Sequence, residues 1–296
     1  MINTKYSTTI EVEESPGDAF NRLIELSKWW PEEYVGEKIG LNTEFILRTG
    51  DGHYSKNKVI DFESNKKLAW LTTESFRETD NFDWSGTKMI IELSSKRDKT
   101  VITFTYDGVV LENEQERLAM ICDFCIQDRL YNFIESFSAT IEVEKSPLEV
   151  FQCITDVTNW WSKDFEGSSR NLNDEFIIHH PGQHYSKQKL VEVIPGKKIV
   201  WLVTESILSW IQNDQQEWTN TKMIFDITSA GNKTILHFTH EGLVPKKECY
   251  IMCKKGWTMI IKDWLFHLIT YGTESPELAK VAEIRNQMLA ENDLSK

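Results

Sequence analysis

Apolar and polar positions alternate along much of this chain. Within Thr87–Ser95, Met89, Ile91 and Leu93 alternate with Lys88 and Glu92, which predicts a strand buried on one face and wet on the other, as in an antiparallel sheet. Thr8–Glu13, Glu44–Arg48, His53–Phe62, Lys67–Glu74 and Thr100–Gly108 are likewise short, rich in β-formers and separated by turn residues. Helical signals stand at both ends of this meander. Ser15, Pro16 and Asp18 supply an N-cap, an N1 proline and an acidic N3 residue, and Ala19, Phe20, Leu23 and Ile24 then share one face. Lys28–Glu33 reads as a short helical turn, and Glu114–Ser136 as one long closing helix.

The same pattern then runs a second time. Thr9–Phe20 (TIEVEESPGDAF) returns as Thr140–Phe151 (TIEVEKSPLEVF), with Ser146, Pro147 and Glu149 in the capping positions. Trp29-Trp30 meets Trp160-Trp161, His53-Tyr54-Ser55-Lys56 meets His184-Tyr185-Ser186-Lys187, and Trp70 meets Trp201. After Ser206 the second copy carries extra residues, and Thr87–Ile90 aligns with Thr221–Ile224. A repeat this long is a whole domain rather than a solenoid unit. The chain therefore divides into domain 1 (1–137), domain 2 (138–272) and a helical extension (273–296). In the extension Ser275 caps, Pro276 takes N1, and Leu278, Val281, Ile284 and Met288 form an apolar stripe. The predicted class is α+β: two tandem domains, each an antiparallel sheet with helices on one face.

Composition narrows the function. A net charge of −13 and a pI near 5.1 argue against non-specific binding to nucleic acid or to an anionic membrane, since both need a basic field. No apolar run approaches a membrane span, and the N-terminal stretch has no signal-peptide core. With five cysteines, an odd number, this predicts a cytoplasmic protein with reduced thiols. Phosphate-loop, Gly-x-Ser-x-Gly and His-Glu-x-x-His patterns do not occur, and no cofactor is expected. Cys122 and Cys125 form a lone Cys-x-x-Cys inside a helical stretch, better read as buried thiols than as half of a metal site. His179, His180 and His184 are close in sequence, but adjacent strand residues face opposite ways, so no metal is expected.

The strand, the Ser-Pro-x-x-x-Phe helix start, the Trp pair, Trp201 ahead of Thr204-Glu205-Ser206, Trp218 ahead of Thr221–Phe225, Phe238–Leu243 (FTHEGL), Cys249-Tyr250 and Trp257 together resemble the START-like, helix-grip superfamily. That superfamily includes the birch-pollen allergen and polyketide cyclases, and the resemblance is to the bacterial branch named for similarity to the C-terminal domain of the activator of the heat-shock-protein ATPase. It covers residues 8 to about 271 and is better in the second copy, because the first has Tyr106-Asp107-Gly108-Val109 and Asp123 or Phe124 in the corresponding places. It implies a curved sheet wrapped around the long helix with a cavity between them. It does not imply a reaction.

The residues expected to line such cavities are Trp30, Tyr54, Trp70, Trp84, Phe104 and Tyr106 in the first copy, and Trp161, Tyr185, Trp201, Trp218, Phe238, His240 and Trp257 in the second. Aromatics also simply fill cores, so each has a plain packing role as its alternative. His53 and His184, next to Gly-containing turns, are expected at the cavity rims. The function these features favour is non-catalytic binding of a small hydrophobic or amphipathic ligand. The alternatives are a chaperone accessory that contacts a protein partner, and a cyclase- or hydrolase-like enzyme built on His240 with Glu205 or Tyr185.

Overall fold

The computed structural model describes residues 2–30, 33–49, 52–77, 83–110, 114–180, 184–280 and 283. The chain separates into two compact units between Glu135 and Ser136. Phe137, the last residue of domain 1 in the repeat alignment, is the first residue of the strand Phe137–Val143 and packs in the second unit's core.

The first unit runs β1 (Ile2–Val12), α1 (Pro16–Leu23), α2 (Leu26–Trp29), β2 (Glu33–Gly36), β3 (Glu44–Thr49), β4 (His53–Glu63), β5 (Lys67–Arg77), β6 (Lys88–Lys96) and β7 (Lys99–Val110). A closing helix follows as α3 (Gln115–Asp123), a π-helical stretch (Phe124–Leu130) and α4 (Tyr131–Glu135). The second unit repeats this with β8 (Phe137–Val143), α5 (Pro147–Thr155), a 3₁₀ turn (Val157–Asn159), β9 (Phe165–Gly167), β10 (Glu175–His180), β11 (His184–Ile194), β12 (Lys198–Leu208), β13 (Lys222–Ala230) and β14 (Lys233–Glu241). Its closing helix is α6 (Tyr250–Met259), a π stretch (Ile260–Leu265) and α7 (Phe266–Tyr271).

Each unit holds one seven-stranded antiparallel sheet, ordered β1-β7-β6-β5-β4-β3-β2 and β8-β14-β13-β12-β11-β10-β9. In each, one face of the sheet and the closing helix share a single apolar core: Val59, Trp70, Ile91 and Phe104 with Leu118, Ile126 and Leu130 in the first, Leu190, Trp201 and Phe225 with Trp257, Ile261 and Leu265 in the second. This is the helix-grip arrangement, twice. The capping reading holds: Ser15 Oγ accepts from Asp18 N at 3.2 Å, and Ser146 with Glu149 forms a full capping box. Three features were not visible in the hydrophobic pattern. The short edge strands β2 and β9 are too brief to show alternation. β1 begins at Ile2, well before Thr8. The π stretches carry an extra residue per turn in the middle of each closing helix, where Phe124, Cys125 and Ile260 border the cavities described below.

A β-bulge decides which residues face the helix. In β5 the pairing with β4 jumps from Lys56↔Glu74 to Asn57↔Thr72, leaving Thr73 as an extra residue. Trp70 and Thr72 point inward, Thr73 and Glu74 both point out, and Ser75 and Arg77 then point inward with 9% and 3% exposure. Strict alternation from Trp70 would instead bury Glu74 and Phe76. β12 repeats the device, with Val203 inward, Thr204 and Glu205 outward, and Ser206 and Leu208 inward.

Past the second closing helix, residues 276–280 are helical, Ser275 Oγ accepts from Leu278 N at 3.1 Å, and Leu278 is buried. Val281, Ile284 and Met288 lie outside the described residues. Among the described residues no helix is long and apolar enough to cross a membrane.

Gly167 ends β9 at φ +101°, and a Cβ there would stand 2.2 Å from Glu175 O of the adjoining strand. Gly86 also has positive φ, +84°, but open space around it. Gly86→Ala is expected to cost about 1 kcal/mol of backbone strain, whereas Gly167→Ala adds a clash with backbone and costs at least ~3 kcal/mol. Urea unfolding of the two variants checks this; equal losses would contradict it.

Candidate functional site

Each unit encloses a cavity between the concave sheet face and its closing helix. The first is about 290 Å³ and the second about 410 Å³. Both lie near the lower end of small-molecule sites, which run from roughly 300 to 1,000 Å³.

In the first unit Trp30, Trp70, Trp84, Phe104, Leu47 and Met89 form the apolar walls, with Leu118, Ile121, Cys122 and Cys125 from the helix side. Met120 and Phe124, 67% and 47% exposed, stand where the cavity meets solvent. One wall is polar. His53, Ser55 and Asn57 point inward from β4 at period two, and β5 brings Thr72, Ser75 and Arg77. His53 Nε2 lies 3.0 Å from Ser75 Oγ, Asn57 Nδ2 donates to Ser55 Oγ at 3.0 Å, and Thr72 Oγ1 donates to Asn57 Oδ1 at 3.0 Å. Arg77 and Arg117 each donate one N–H to Glu114 Oε2, both at 3.1 Å. Burial, and secondarily the Arg77 charge, hold the His53 imidazole down to about 4.

In the second unit the lining is Trp161, Trp218 and Trp257 with His184, Cys253, Gly256 and Ile260, and Met252, Trp210 and His180 stand toward the opening. The rings form a connected set. Trp161 stacks on Trp201 with centroids 6.0 Å apart and planes 3° apart, Trp218 stacks on Trp257 at 5.9 Å, and His184 meets Trp218 edge-on at 4.7 Å. Gln188 is satisfied when its Oε1 accepts from Ser186 Oγ and its Nε2 donates to the carbonyls of Ser186 (3.2 Å) and Phe176 (3.1 Å). Ser186 then accepts from His184 Nε2, 2.8 Å away, which makes His184 the neutral Nε2–H tautomer.

His240 is fixed by similar logic. Trp257 Nε1, a donor only, gives its hydrogen to His240 Nδ1 at 2.9 Å. The proton of His240 therefore sits on Nε2 and goes to Thr221 Oγ1 at 2.9 Å, and Thr221 passes its own to Trp218 O at 2.5 Å. Every member of this chain is satisfied. Burial pushes both His184 and His240 down to about 3.

The Trp pairs divide their roles. Trp29 donates to Leu23 O at 2.9 Å and Trp160 to Ile154 O at 3.1 Å, so the first Trp of each pair is a core anchor on the end of the preceding helix. The second, Trp30 or Trp161, lines the cavity. Trp201 and Phe238 are buried behind the second cavity's wall, against Phe225. Tyr106 is fully buried against Trp84 and donates to Val109 O at 3.2 Å; burial raises its phenol to about 12.

Several placements correct the expectations. Tyr106, Trp201, Phe238 and His240, expected to line the cavities, are fully buried core residues outside the described linings. Tyr54 and Tyr185 are not in the cavities. They alternate with His53 and His184 and so lie on the other face of the sheet, Tyr54 under the Arg48 guanidinium and Tyr185 donating to Glu205 Oε2 at 3.3 Å. His53 and His184 are not rim residues: each is 9% exposed and forms part of the inner wall. The pairing of His240 with Glu205 or Tyr185 does not form, since the bulge sends Glu205 outward while His240 is enclosed by Thr221 and Trp257. Sequence reasoning missed Arg77, Arg117, Gly256, Ser55 and Asn57. Period two from His53 points to the last two; the bulge hides Arg77.

Cys122 and Cys125 are buried helix residues whose thiols are pushed up, Cys125 to about 12, mainly by desolvation. Cys249 is raised too, first by its hydrogen bond with Cys253 and then by burial. Among the described residues no group of three or more His, Cys, Asp or Glu could hold a metal ion.

No protein-family model matches the chain, and no curated protein matches it. Among solved structures it is similar to the solution structure of the Aha1 dimer from Colwellia psychrerythraea (19% identity over 46% of this chain and 97% of that one, TM-score 0.38). It is also similar to the di-domain ARO/CYC StfQ from the steffimycin biosynthetic pathway (14% identity, 87% and 93% covered, TM-score 0.35) and to CalU16 from Micromonospora echinospora (13% identity, 45% and 76% covered, TM-score 0.36).

The buried histidines set a pH dependence. Unfolded imidazoles take up a proton below about 6.5, whereas folded His184 and His240 stay neutral to about 3. The unfolded state thus binds more protons below 6.5, and stability falls as pH drops through that window. Between about pH 6.5 and about pH 5 each contributes a loss of about 2 kcal/mol. The first unit has one such group, His53, and its partly buried Glu14 and Glu135, raised chiefly by desolvation, oppose the trend. Urea unfolding at about pH 7.5 and about pH 5 is therefore expected to show the second unit losing more stability; a larger loss in the first unit would contradict the assignment.

Proposed function

We propose that this protein binds small apolar or amphipathic molecules, without catalysis, in the cavities between each sheet and its closing helix. The observation that carries this reading is Gly256. It lies within α6, where glycine costs about 1 kcal/mol relative to alanine. It faces the second cavity, has no positive φ, and a Cβ built on it would meet nothing within 4 Å. Neither local conformation nor packing requires a glycine there, and any larger side chain would occupy the cavity.

Two further observations support the reading. Among the described residues, the buried indole N–H of Trp218 on the second cavity has no acceptor, and neither has that of Trp30 on the first. A buried donor left unpaired costs about 1–3 kcal/mol, and the carbonyl, ether or hydroxyl oxygen of a ligand would satisfy it. The exposed Met120 and Met252 at the openings give a flexible apolar entry. His53 and His184, in the inner walls, are held neutral and engaged by hydroxyl groups, which suits a structural wall better than a proton-transfer site.

Gly256→Leu tests this without relying on damage to the fold. The variant is expected to fold with stability equal to wild type or about 1 kcal/mol higher. It should also lose at least tenfold in affinity for an apolar fluorophore at the second site, read by quenching of tryptophan emission. Native mass spectrometry of the purified protein, with extraction of co-purifying small molecules, gives the ligand itself. A Gly256→Leu protein that binds as wild type does would sink the reading for the second unit.

A further inference from the structure

We infer that the two cavities take different ligands: the first an amphipathic anion whose acidic headgroup meets Arg77 and Arg117, the second an uncharged apolar molecule. The inference rests on the cavity-binding reading above and goes on to assign the chemistry at each site.

The two units provide their own control. Arg77 pairs across the sheet with His53, and at the same register in the second unit Leu208 pairs with His184. Both side chains follow the β-bulge, both point inward, and both are buried, at 3% and 0% exposure. The fold therefore accepts a leucine at this position. A buried guanidinium carries a desolvation penalty that a leucine does not, so the frame alone does not call for the arginine.

Where the guanidiniums stand gives the arginine a use. Arg77 and Arg117 both line the first cavity, and Glu114, which accepts from each, does not. The charged groups that the described wall presents to a ligand are thus both cationic, in a chain whose net charge is −13. They extend the polar wall of His53, Ser55, Asn57 and Thr72 in a space whose other walls are aromatic and aliphatic, the layout of a headgroup site with an apolar tail site. A guanidinium fork matches the oxygens of a carboxylate or a phosphate monoester equally well. In the second unit Leu208, at the position of Arg77, is part of the apolar core, and the described lining of that cavity holds indole, imidazole, sulfur and aliphatic groups with no arginine, lysine or carboxylate. The rival role for Arg77 is a latch, tying the end of β5 to the start of the closing helix through Glu114. A latch would affect stability but would not make the site prefer an anion.

The test uses the full chain labelled with ¹³C at methionine methyls. Met89 and Met120 report on the first cavity and Met252 on the second. Decanoate, decyl phosphate and decanol are titrated separately at neutral pH. At Met89 and Met120 the anions are expected to bind about 10- to 100-fold more tightly than decanol, with the preference shrinking as salt is raised. At Met252 no preference for the anion is expected. Arg77→Leu, which gives the first unit the residue found in the second, should reduce the anion-to-alcohol ratio at the first site to near one, and Arg77→Lys should restore part of it. A headgroup preference for decanoate over decyl phosphate, or the reverse, identifies which acid the site takes. Equal binding of anion and alcohol by the wild type, or a preference that survives Arg77→Leu, overturns the inference and leaves the cavity reading standing. Should Arg77→Leu fail to fold, the wild-type ratio and its salt dependence decide. If none of the three ligands shifts either set of methyls, the cavity reading itself fails.

Discussion

The extra residue in β5 and β12 governs which side chains each unit turns inward. A strand alternates without exception unless a bulge intervenes. Here Thr73 and Thr204 insert one residue, so the inward set changes parity halfway along the strand. Before the bulge the strand buries Trp70 or Trp201 against the closing helix. After it, the strand turns Ser75 and Arg77, or Ser206 and Leu208, inward, and Arg77 reaches the first cavity. The acidic residue that simple alternation would bury, Glu74 or Glu205, is released to the outer face. Without the bulge each unit would turn a carboxylate inward, and Arg77 or Leu208 would face out.

Duplication explains why the two interiors share a frame and differ in polarity. The Trp29 and Trp160 anchors and the inward His-x-Ser rows recur in register, while the histidine's hydroxyl partner differs, Ser75 of β5 for His53 and Ser186 of β11 for His184. Residues that differ include Arg77 in the first cavity against Leu208 in the second unit's core, and a closing helix that lines its cavity with Cys122 and Phe124 in one copy and Gly256 and Trp257 in the other. The His240 chain, with Trp257 and Thr221, has Tyr106 at the corresponding strand position in the first unit, where a phenol bonded to Val109 O fills the space instead. Core and cavity wall are thus built on the same inward face of the same strands, and residues such as Trp70, Phe104 and Trp218 belong to both.

Much of this was legible in the sequence because it depends on local periodicity. Internal repetition, the capping serines, the succession of elements along the chain and the α+β class all follow from spacing and alternation. The inward direction of Phe104, Tyr106, Phe238 and His240 follows from the phase of one strand. Other features depend on contacts that a single sequence does not display. Tyr54 and Tyr185 look like cavity aromatics until their neighbours His53 and His184 are seen to take the inner face. Arg77 reads as an ordinary surface charge at a strand end until the bulge is known. Gly256 reads as a weak point in a helix until the space in front of it is seen.

Xenon tests the central claim most directly, since apolar cavities that exclude water take up xenon without help from any headgroup. Crystals of the full chain under xenon pressure are expected to show bound atoms in both units, against Trp70 and Phe104 in the first and against Trp218 and Trp257 in the second. Two interiors that admit no xenon would mean that these aromatics close over filled cores, and the binding account would fail.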